Sequence, residues 1–220
     1  MSILRTFGGL SLALALTACG PGDMASRNSQ IAPENMNAAP AEGSIKAAIP
    51  SLKLVGYDVS VPRSLRVSEA NRYYPGSDIV WRGDPLGDRH AQVAAMFETA
   101  LDRAEPLLDG DTPVRARIVV KRFHSVTEKT RYTIGGVHNI IFDLTIIDPA
   151  TGAILVPTRE VRADLEAFGG ARAINAEHNG ITQKYRVTNH LTRVFQVEMT
   201  APEGYRNANL GWVQVLNNIK

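Results

Sequence analysis

Apolar and polar residues alternate over residues 54–62, and this pattern predicts a first β-strand with its apolar side chains on one face. That face comprises Val55, Tyr57, Val59 and Val61. Over residues 89–108 the apolar residues recur at spacings of three and four, which predicts an amphipathic helix with Asp88 as its N-cap. Residues 63–87, which join the two elements, show no sustained period and are interpreted as a loop.

Three more strands are predicted in succession, over residues 114–124, 137–148 and about 153–166. In the turn between the last two, Pro149 presets φ and Gly152 accepts a positive φ. Charged and apolar residues alternate along the last strand, so at least part of the sheet is expected to face water. The residues expected inside are Val161, Ala163 and Leu165, and those expected outside are Glu160, Arg162, Asp164 and Glu166.

A second helix is predicted after the break at Gly169-Gly170, in two pieces around Gly180. Its apolar stripe is Ile181, Tyr185, Thr188, Leu191, Val194, Phe195 and Met199. The C-terminal tail, residues 201–220, places Trp212 and a few aliphatic residues among asparagines. Two interpretations of the tail stay open, since it could pack on the domain or remain free of it.

The order of these elements is strand, helix, three strands, helix, which indicates an α+β fold. A crossover through the first helix allows the first two strands to run parallel, while the later strands pair as antiparallel neighbours. We therefore predict a two-layer sandwich over residues 51–200. It has a mostly antiparallel sheet of about four strands with two helices on one face.

The N-terminal residues have the pattern of a secretory signal peptide over residues 1–18. Arg5 supplies the positive charge, and the apolar run over residues 7–16 is too short for a spanning helix, which needs roughly 20 residues. Residues 19–50 are rich in Pro, Gly, Ala and Asn and have no sustained period, so they are predicted to form a disordered tether.

The sequence Leu16-Thr17-Ala18-Cys19 contains the only cysteine of the chain and resembles the bacterial lipobox. That resemblance implies that Cys19 receives a diacylglycerol and becomes the acylated N-terminus, since more than one acyl chain gives a stable anchor. Gly20 in the next position favours the outer membrane over the inner one. The alternative is an ordinary secretion signal with a chance cysteine, or a buried free thiol.

Composition narrows the function classes further. The chain carries 24 Lys and Arg against 22 Asp and Glu, a net charge of +2, which is not the profile of a dedicated nucleic-acid binder. One cysteine excludes an intrachain disulfide and a cysteine-rich zinc site. We therefore expect no nucleic-acid partner, no metal site and no cofactor.

No catalytic signature of the serine-hydrolase, phosphate-loop or dinucleotide-binding type occurs in the sequence. His124 and His138 lie near the ends of two strands that are expected to pair, so they could approach one another. A metal site would need a third ligand, such as Glu128 or Asp143. The alternative is that both histidines simply pack in the hairpin.

The strand carboxylates leave two interpretations open as well. Asp143, Asp164 and Glu166 could support a hydrolase dyad. Interleaved arginines favour a solvated charged face instead.

Basic residues on one face of the second predicted strand are the candidate binding residues of the domain. Arg115, Arg117 and Lys121, with Arg122 beside them, could meet lipid headgroups or an acidic partner. The alternative is a solvated strand face without a partner. An antiparallel sheet with one uncovered face also offers a docking surface, and an exposed edge accepts a partner strand.

The layout resembles small lipoproteins of Gram-negative envelopes, especially alphaproteobacterial ones. The shared features are the lipobox ending at Cys19, the tether, the helix after Asp88 that follows a loop with Trp81, and the hairpin over residues 148–152. More distantly the chain is similar to auxiliary lipoproteins of ABC-type transport systems that move lipids across the envelope. Only Cys19 can be carried over as a functional residue.

These observations predict a non-enzymatic lipoprotein of the cell envelope, anchored at Cys19 in the outer membrane and facing the periplasm. Its domain would bind an envelope protein, as an accessory of a transport or assembly complex. The alternative is an enzyme or a carrier of small ligands or lipids, with a cleft between sheet and helices.

Overall fold

The computed structural model describes residues 51–212 and residue 214. The predicted signal peptide over residues 1–18, the lipidation site Cys19 and the tether over residues 19–50 lie outside the described residues. Residues 213 and 215–220 of the tail also lie outside them. The domain boundaries and the anchoring residue drawn there therefore stay predictions.

Six strands and four α-helices make up the described part of the chain. The strands are β1 (Leu52–Ser60), β2 (Ile79–Val80), β3 (Thr112–His124), β4 (Gly136–Ile147), β5 (Ile154–Arg162) and β6 (Leu165–Ala167). The helices are α1 (Arg89–Ala104), α2 (Glu128–Arg131), α3 (Gly170–His178) and α4 (Gln183–Thr200). None of the described helices combines the length and the apolar character needed to cross a membrane.

The sheet is mixed, with the strand order β1-β3-β4-β5. β1 and β3 run parallel, and β3, β4 and β5 are antiparallel neighbours. β2 pairs with the last residues of β3, and β6 pairs with the first residues of β4. The α+β class is confirmed and the sandwich fits broadly. The predicted numbers of strands and helices were too low, because β2, β6 and α2 are shorter than the windows in which a period is visible.

The helix predicted after Asp88 begins where the pattern places it. The Asp88 carboxylate accepts a hydrogen bond from the backbone N–H of Ala91 at 3.1 Å, as an N-cap does. α1 ends at Ala104, before the predicted end at residue 108. Pro106 lacks an N–H to continue the helix, so the chain closes with a 3-10 turn over Glu105–Leu107.

The side chains of β1 that face the core differ from the prediction. A bulge between Leu54 and Gly56 shifts the register against β3. Leu54 pairs with Val114 and is buried, whereas Val55 is exposed. Beyond the bulge the predicted alternation holds, and Tyr57 packs against the core. Placing Val55 on the same face as Tyr57 was wrong, because one extra residue in a strand reverses the faces.

The last predicted strand consists of β5 and β6, which are separated at residues 163–164. Ala163 is buried as predicted, but Asp164, which was expected outside, is only 1% exposed. Its carboxylate accepts hydrogen bonds from the side-chain amides of Asn139 (2.7 Å), Asn207 (3.0 Å) and Gln214 (2.7 Å). Two of these amides belong to the tail, so the described part of the tail packs on the domain.

The second predicted helix is divided at Gly180 as expected, into α3 and α4. The apolar stripe of α4 begins later than predicted, because Ile181 and Tyr185 are exposed and Val187 is buried. α4 packs against α1, and both contribute to one hydrophobic core with the apolar face of the sheet.

Candidate binding cavity

A cavity of about 450 Å³ lies at the end of the sheet where β3 ends and β4 begins. Its wall is mostly apolar, and its volume lies within the range of roughly 300–1,000 Å³ that is typical of small-ligand sites. The lining residues are Tyr73, Tyr74, His124, Ser125, Val126, Thr130, Ile134, Gly135, Gly136 and Val137. The cavity is thus enclosed by the loop before β2, the end of β3, α2 and the turn into β4.

Two buried threonines of the α2 region hold the loop that carries the tyrosines. Thr127 donates its hydroxyl to the carbonyl of Arg72 at 2.7 Å, and Thr130 donates to the carbonyl of Tyr73 at 2.8 Å. The oxygen of Thr127 also accepts from the backbone N–H of Thr130 at 3.3 Å, which caps α2. One short helix therefore fixes a loop that lies 55 to 57 residues earlier in the chain.

Tyr74 forms one wall of the cavity and stacks on a buried histidine. Its ring centroid lies 4.5 Å from that of His124, and its hydroxyl accepts from Nη2 of Arg122 at 3.0 Å. His124 donates from Nε2 to the carbonyl of Pro75 at 2.7 Å. Burial lowers the pKa of His124, and the nearby charge of Arg122 lowers it further. The ring is therefore neutral at pH 7 and presents no charge to the cavity.

The turn into β4 depends on a glycine. Gly135 has φ of +71°, and a Cβ there would lie 2.7 Å from the carbonyl oxygen of Ala167 and from the backbone nitrogen of Gly169. Any side chain would meet backbone atoms that cannot move aside. The turn therefore brings Ile134 and Val137 to the cavity at a fixed position.

A buried polar chain reaches the cavity through Ser125. Gln183 donates from Nε2 to the Ser125 hydroxyl oxygen at 2.6 Å, and that oxygen lies 2.9 Å from Nδ1 of His138. Since the serine oxygen accepts from Gln183, its own hydrogen is available to His138. Nε2 of His138 is buried without a hydrogen-bond partner among the described residues.

Ser125 and His138 are hydrogen-bonded, but this pair is suited to binding and not to catalysis. Burial, reinforced by the charge of Arg186, lowers the pKa of His138 to about 3. A general base works best when its pKa lies near the working pH, so His138 is a weak base for Ser125 at pH 7. Of the pair, Ser125 lines the cavity, where it contributes a neutral hydrogen-bonding group at the edge of an apolar space.

The predicted binding residues lie elsewhere, on the sheet face opposite the hydrophobic core. Arg115 is paired with Asp58, with Nε at 2.7 Å from Oδ2, and Lys121 is paired with Glu160, with Nζ at 2.6 Å from Oε2. Arg117 is exposed, and its charge helps to lower the pKa of Asp58. The binding role of these residues stays a prediction, and the structure shows that two of the three already have carboxylate partners.

The structure does not bring the suggested metal ligands together. Nε of Arg82 lies 2.8 Å from a carboxylate oxygen of Glu128, and Asp143 lies 3.5 Å from Lys121 on the solvated face. Among the residues that the structure describes, no three His, Cys, Asp or Glu side chains are placed to hold a metal ion. His138 does approach β3 as the pairing predicted, but its partner is Ser125.

Little in the sequence indicated the tyrosine wall. Tyr73 and Tyr74 lie in a segment without a period, and Gly135-Gly136 was interpreted only as a turn. Adjacent aromatic residues in a polar loop were the one available signal, since large rings in loops often contribute to binding surfaces. Ser125 and Gln183 carried no signal, because their contact spans 58 residues.

Comparisons with known proteins give a family and a distant likeness. No curated protein matches the chain. A protein of Xanthomonas campestris from family DUF330 is 13% identical, with a TM-score of 0.42, over 70% of this chain and 88% of its own. A putative lipoprotein of Caulobacter crescentus is 13% identical, with a TM-score of 0.31, over 71% of this chain and 92% of its own. A family model matches residues 52–215, well over half of the chain, and the protein belongs to that family of unknown function, DUF6778.

Proposed function

We propose that this protein is a lipid-anchored envelope protein whose α+β domain binds an apolar ligand without transforming it. The cavity carries the proposal, because its wall is mostly apolar and polar groups such as those of His124, Ser125 and Thr130 are uncharged and hydrogen-bonded within the protein. Such binding requires no cofactor. In the finer form of the proposal, the domain serves a transport or assembly complex by presenting this ligand to an envelope partner.

The anchor is the part of the proposal that rests on sequence alone. The lipobox at Leu16–Cys19 supports acylation of Cys19, and Gly20 supports the outer membrane. We expect Cys19→Ser to abolish incorporation of labelled palmitate and to move the protein from the membrane fraction to the soluble fraction. Unchanged labelling and fractionation of that variant would show that the anchoring residue is misassigned.

The cavity is tested with an uncharged apolar fluorophore, N-phenyl-1-naphthylamine, titrated into the full chain carrying Cys19→Ser. We expect saturable binding that Val126→Phe weakens at least about tenfold, because the added ring occupies the cavity. Leu86→Phe is the matched control, since Leu86 is 81% exposed and does not line the cavity. Equal affinities of the two variants would refute the site.

A second cavity variant guards against loss of folding in Val126→Phe. Ile134 lies at the mouth and is 76% exposed, so a change there leaves the core packing untouched. We expect Ile134→Asp to weaken binding of the fluorophore, because a carboxylate replaces apolar surface at the entrance. Unaltered affinity of a folded Ile134→Asp would count against the cavity as the binding site.

Protein docking is a second candidate function, and β5 is the observation that favours it. β5 pairs only with β4 among the described strands and leaves its other edge open. Three consecutive apolar residues on it, Ile154, Leu155 and Val156, are exposed. An open edge with apolar side chains accepts an extended strand of a partner. The partner in this candidate is an apolar strand of another envelope protein.

Crosslinking in the native membrane separates the two functions. A photoreactive residue at position 155 should form a discrete adduct with another envelope protein. In a separate variant, Leu155→Lys should remove the copurifying partner. A matched probe at exposed position 86 should give no adduct. If position 155 crosslinks no more than position 86, the β5 edge is not an interface.

A further inference from the structure

We propose that the ligand of the cavity is an anionic amphiphile, with its chain inside and its carboxylate or phosphate at the mouth beside Arg122 and Lys129. This inference rests on the proposed function, in which the cavity binds an apolar ligand. It adds the charge of the head group and the residues that recognise it. The two cations lie on the tyrosine side of the cavity.

The interior of the cavity accepts an apolar chain but disfavours a charged group. Val126, Ile134 and Val137 contribute apolar surface, and the lining residues within the described chain include no Asp or Glu. His124, which lines the cavity, has a lowered pKa and is neutral at pH 7. An ion placed inside would lose hydration without gaining a partner of opposite charge. The charged end of a ligand must therefore stay at the mouth.

Two cations contact the tyrosines that line the cavity. Arg122 donates from Nη2 to the hydroxyl of Tyr74 at 3.0 Å, and its Nε is buried without a hydrogen-bond partner. Nζ of Lys129 lies 4.6 Å from the ring centroid of Tyr73. Each cation is thus held against an aromatic ring that lines the cavity. A guanidinium with an unused donor is suited to an oxyanion.

The carboxylates of this region are already engaged by other arginines. Glu128 pairs with Arg82 at 2.8 Å, and Glu177 pairs with Arg131. Asp78 accepts from the backbone N–H of Arg66 at 3.0 Å and lies 3.6 Å from the side chain of that residue.

The charge of Arg122 also acts on Asp78, since it contributes to lowering the pKa of the Asp78 carboxyl. Asp78 forms its ion pair with Arg66, and Arg122 has no ion pair among the described residues. Lys129 has no ion pair among the described residues. The mouth of the cavity consequently has an excess of positive charge, which complements an anionic head group.

The competing occupant is an uncharged peptide segment. A preference of the cavity for an anionic head group would favour the amphiphile over such a peptide. We compare four compounds with one decyl chain: decanoate, decyl phosphate, decanol and decyltrimethylammonium. Each is titrated calorimetrically below its micelle concentration into the full chain carrying Cys19→Ser. We expect both anions to bind about threefold to tenfold more tightly than decanol, and the cation to bind more weakly than decanol. The order of the two anions assigns the head group as carboxylate or phosphate.

Variants then locate the source of the preference. Lys129→Gln and Arg122→Gln should each reduce the ratio of decanoate affinity to decanol affinity, and Lys129→Arg should retain it. Lys53→Gln is the matched control, because Lys53 pairs with Asp109 at the start of β1, whereas Lys129 and Arg122 contact the tyrosines of the cavity. The preference should also diminish in high salt, since exposed charges are screened.

The outcomes distinguish this inference from the function beneath it. Equal binding of decanoate and decanol would overturn the anionic head group and leave the apolar ligand standing. A preference for the anions that survives in both Lys129→Gln and Arg122→Gln would overturn the assigned residues. Failure of every decyl compound to bind would overturn the inference and the proposed ligand-binding function together.

Discussion

The core under α1 and α4 and the cavity at the end of β3 are built in different ways. In the core, three phenylalanine rings pack edge to face around Phe97, with centroid distances of 5.3 Å to Phe142, 6.1 Å to Phe195 and 6.3 Å to Phe123. At the cavity, the rings of Tyr73 and Tyr74 line open space. Hydrogen bonds from distant residues hold them there.

This difference separates stability from binding. The core is stabilised by close apolar packing, which leaves no room for a ligand. The cavity keeps its volume because two sets of hydrogen bonds fix the surrounding backbone. One set comes from Thr127 and Thr130, and the other joins Gln183 to Ser125. Substitutions in the two regions should therefore change different measurements.

The largest loss of stability is expected in the phenylalanine cluster. Phe97→Ala should lower the free energy of unfolding by about 3–5 kcal/mol, because a fully buried ring is replaced by a void. Urea denaturation measures the change. Leu86→Ala at an exposed position should stay within about 0.5 kcal/mol of the parent. A loss below about 1 kcal/mol in Phe97→Ala would show that the cluster is not the stabilising core.

A smaller loss is expected at the buried carboxylate near the start of β4. Asp164→Ala should cost about 2–3 kcal/mol, since it removes charge-assisted hydrogen bonds and leaves buried amides without a partner. It should also expose the chain after residue 201 to protease. Glu203→Ala, at an exposed position of the same tail, should leave both measurements near those of the parent.

The pH dependence should come next in size and report on the buried histidine. His138 has a pKa of about 3 in the folded state and an ordinary value of 6.5, so the unfolded chain binds the extra proton. Stability is then fully present above pH 6.5 and falls as the pH decreases towards 3. Well below pH 6.5, His138 lowers the free energy of unfolding by about 1.4 kcal/mol for each unit that the pH decreases.

His138→Gln should therefore flatten the decline in stability between pH 6.5 and 5, where carboxylates contribute little. His178→Gln is the control, because His178 is exposed. Parallel stability curves for the parent and His138→Gln would contradict the assignment of a buried neutral ring.

The smallest expected effect is at the cap of α2. Thr127→Ala should cost about 1 kcal/mol, but it should speed amide exchange in the loop of Tyr73 and Tyr74, which Thr127 holds. Thr99→Ala, on the exposed face of α1, should leave exchange in that loop unchanged. If amide exchange in the loop of Tyr73 and Tyr74 stays slow in Thr127→Ala, other contacts position the tyrosines.

The core could be predicted from the sequence, and the reason is the length of its pattern. Apolar residues alternate from Val114 to Val120 in β3 and from Ile140 to Ile146 in β4, and α1 repeats its apolar spacing over 16 residues. The prediction for Val55 was wrong because the alternating pattern does not reveal the bulge after Leu54. The break at Gly180 was predicted correctly, because a glycine interrupts the helical pattern there and adopts a positive φ.

The cavity and the burial of Asp164 could not be predicted in the same way. Asp164 is covered by Asn207 and Gln214, which lie 43 and 50 residues further along the chain. Tyr73 and Tyr74 depend on threonines beyond β3. Such contacts are set by the tertiary fold and leave no local period. The predicted binding face with Arg115, Arg117 and Lys121 was visible because strand alternation alone places those residues together.

The central claim is that an apolar chain enters the cavity, and isotope-filtered NMR of the full chain with decanoate tests it most directly. The account predicts intermolecular contacts between the ligand chain and the methyl groups of Val126 and Val137, which line the cavity. Saturable binding with contacts only to other residues, such as Ile154 and Leu155 on β5, would contradict it.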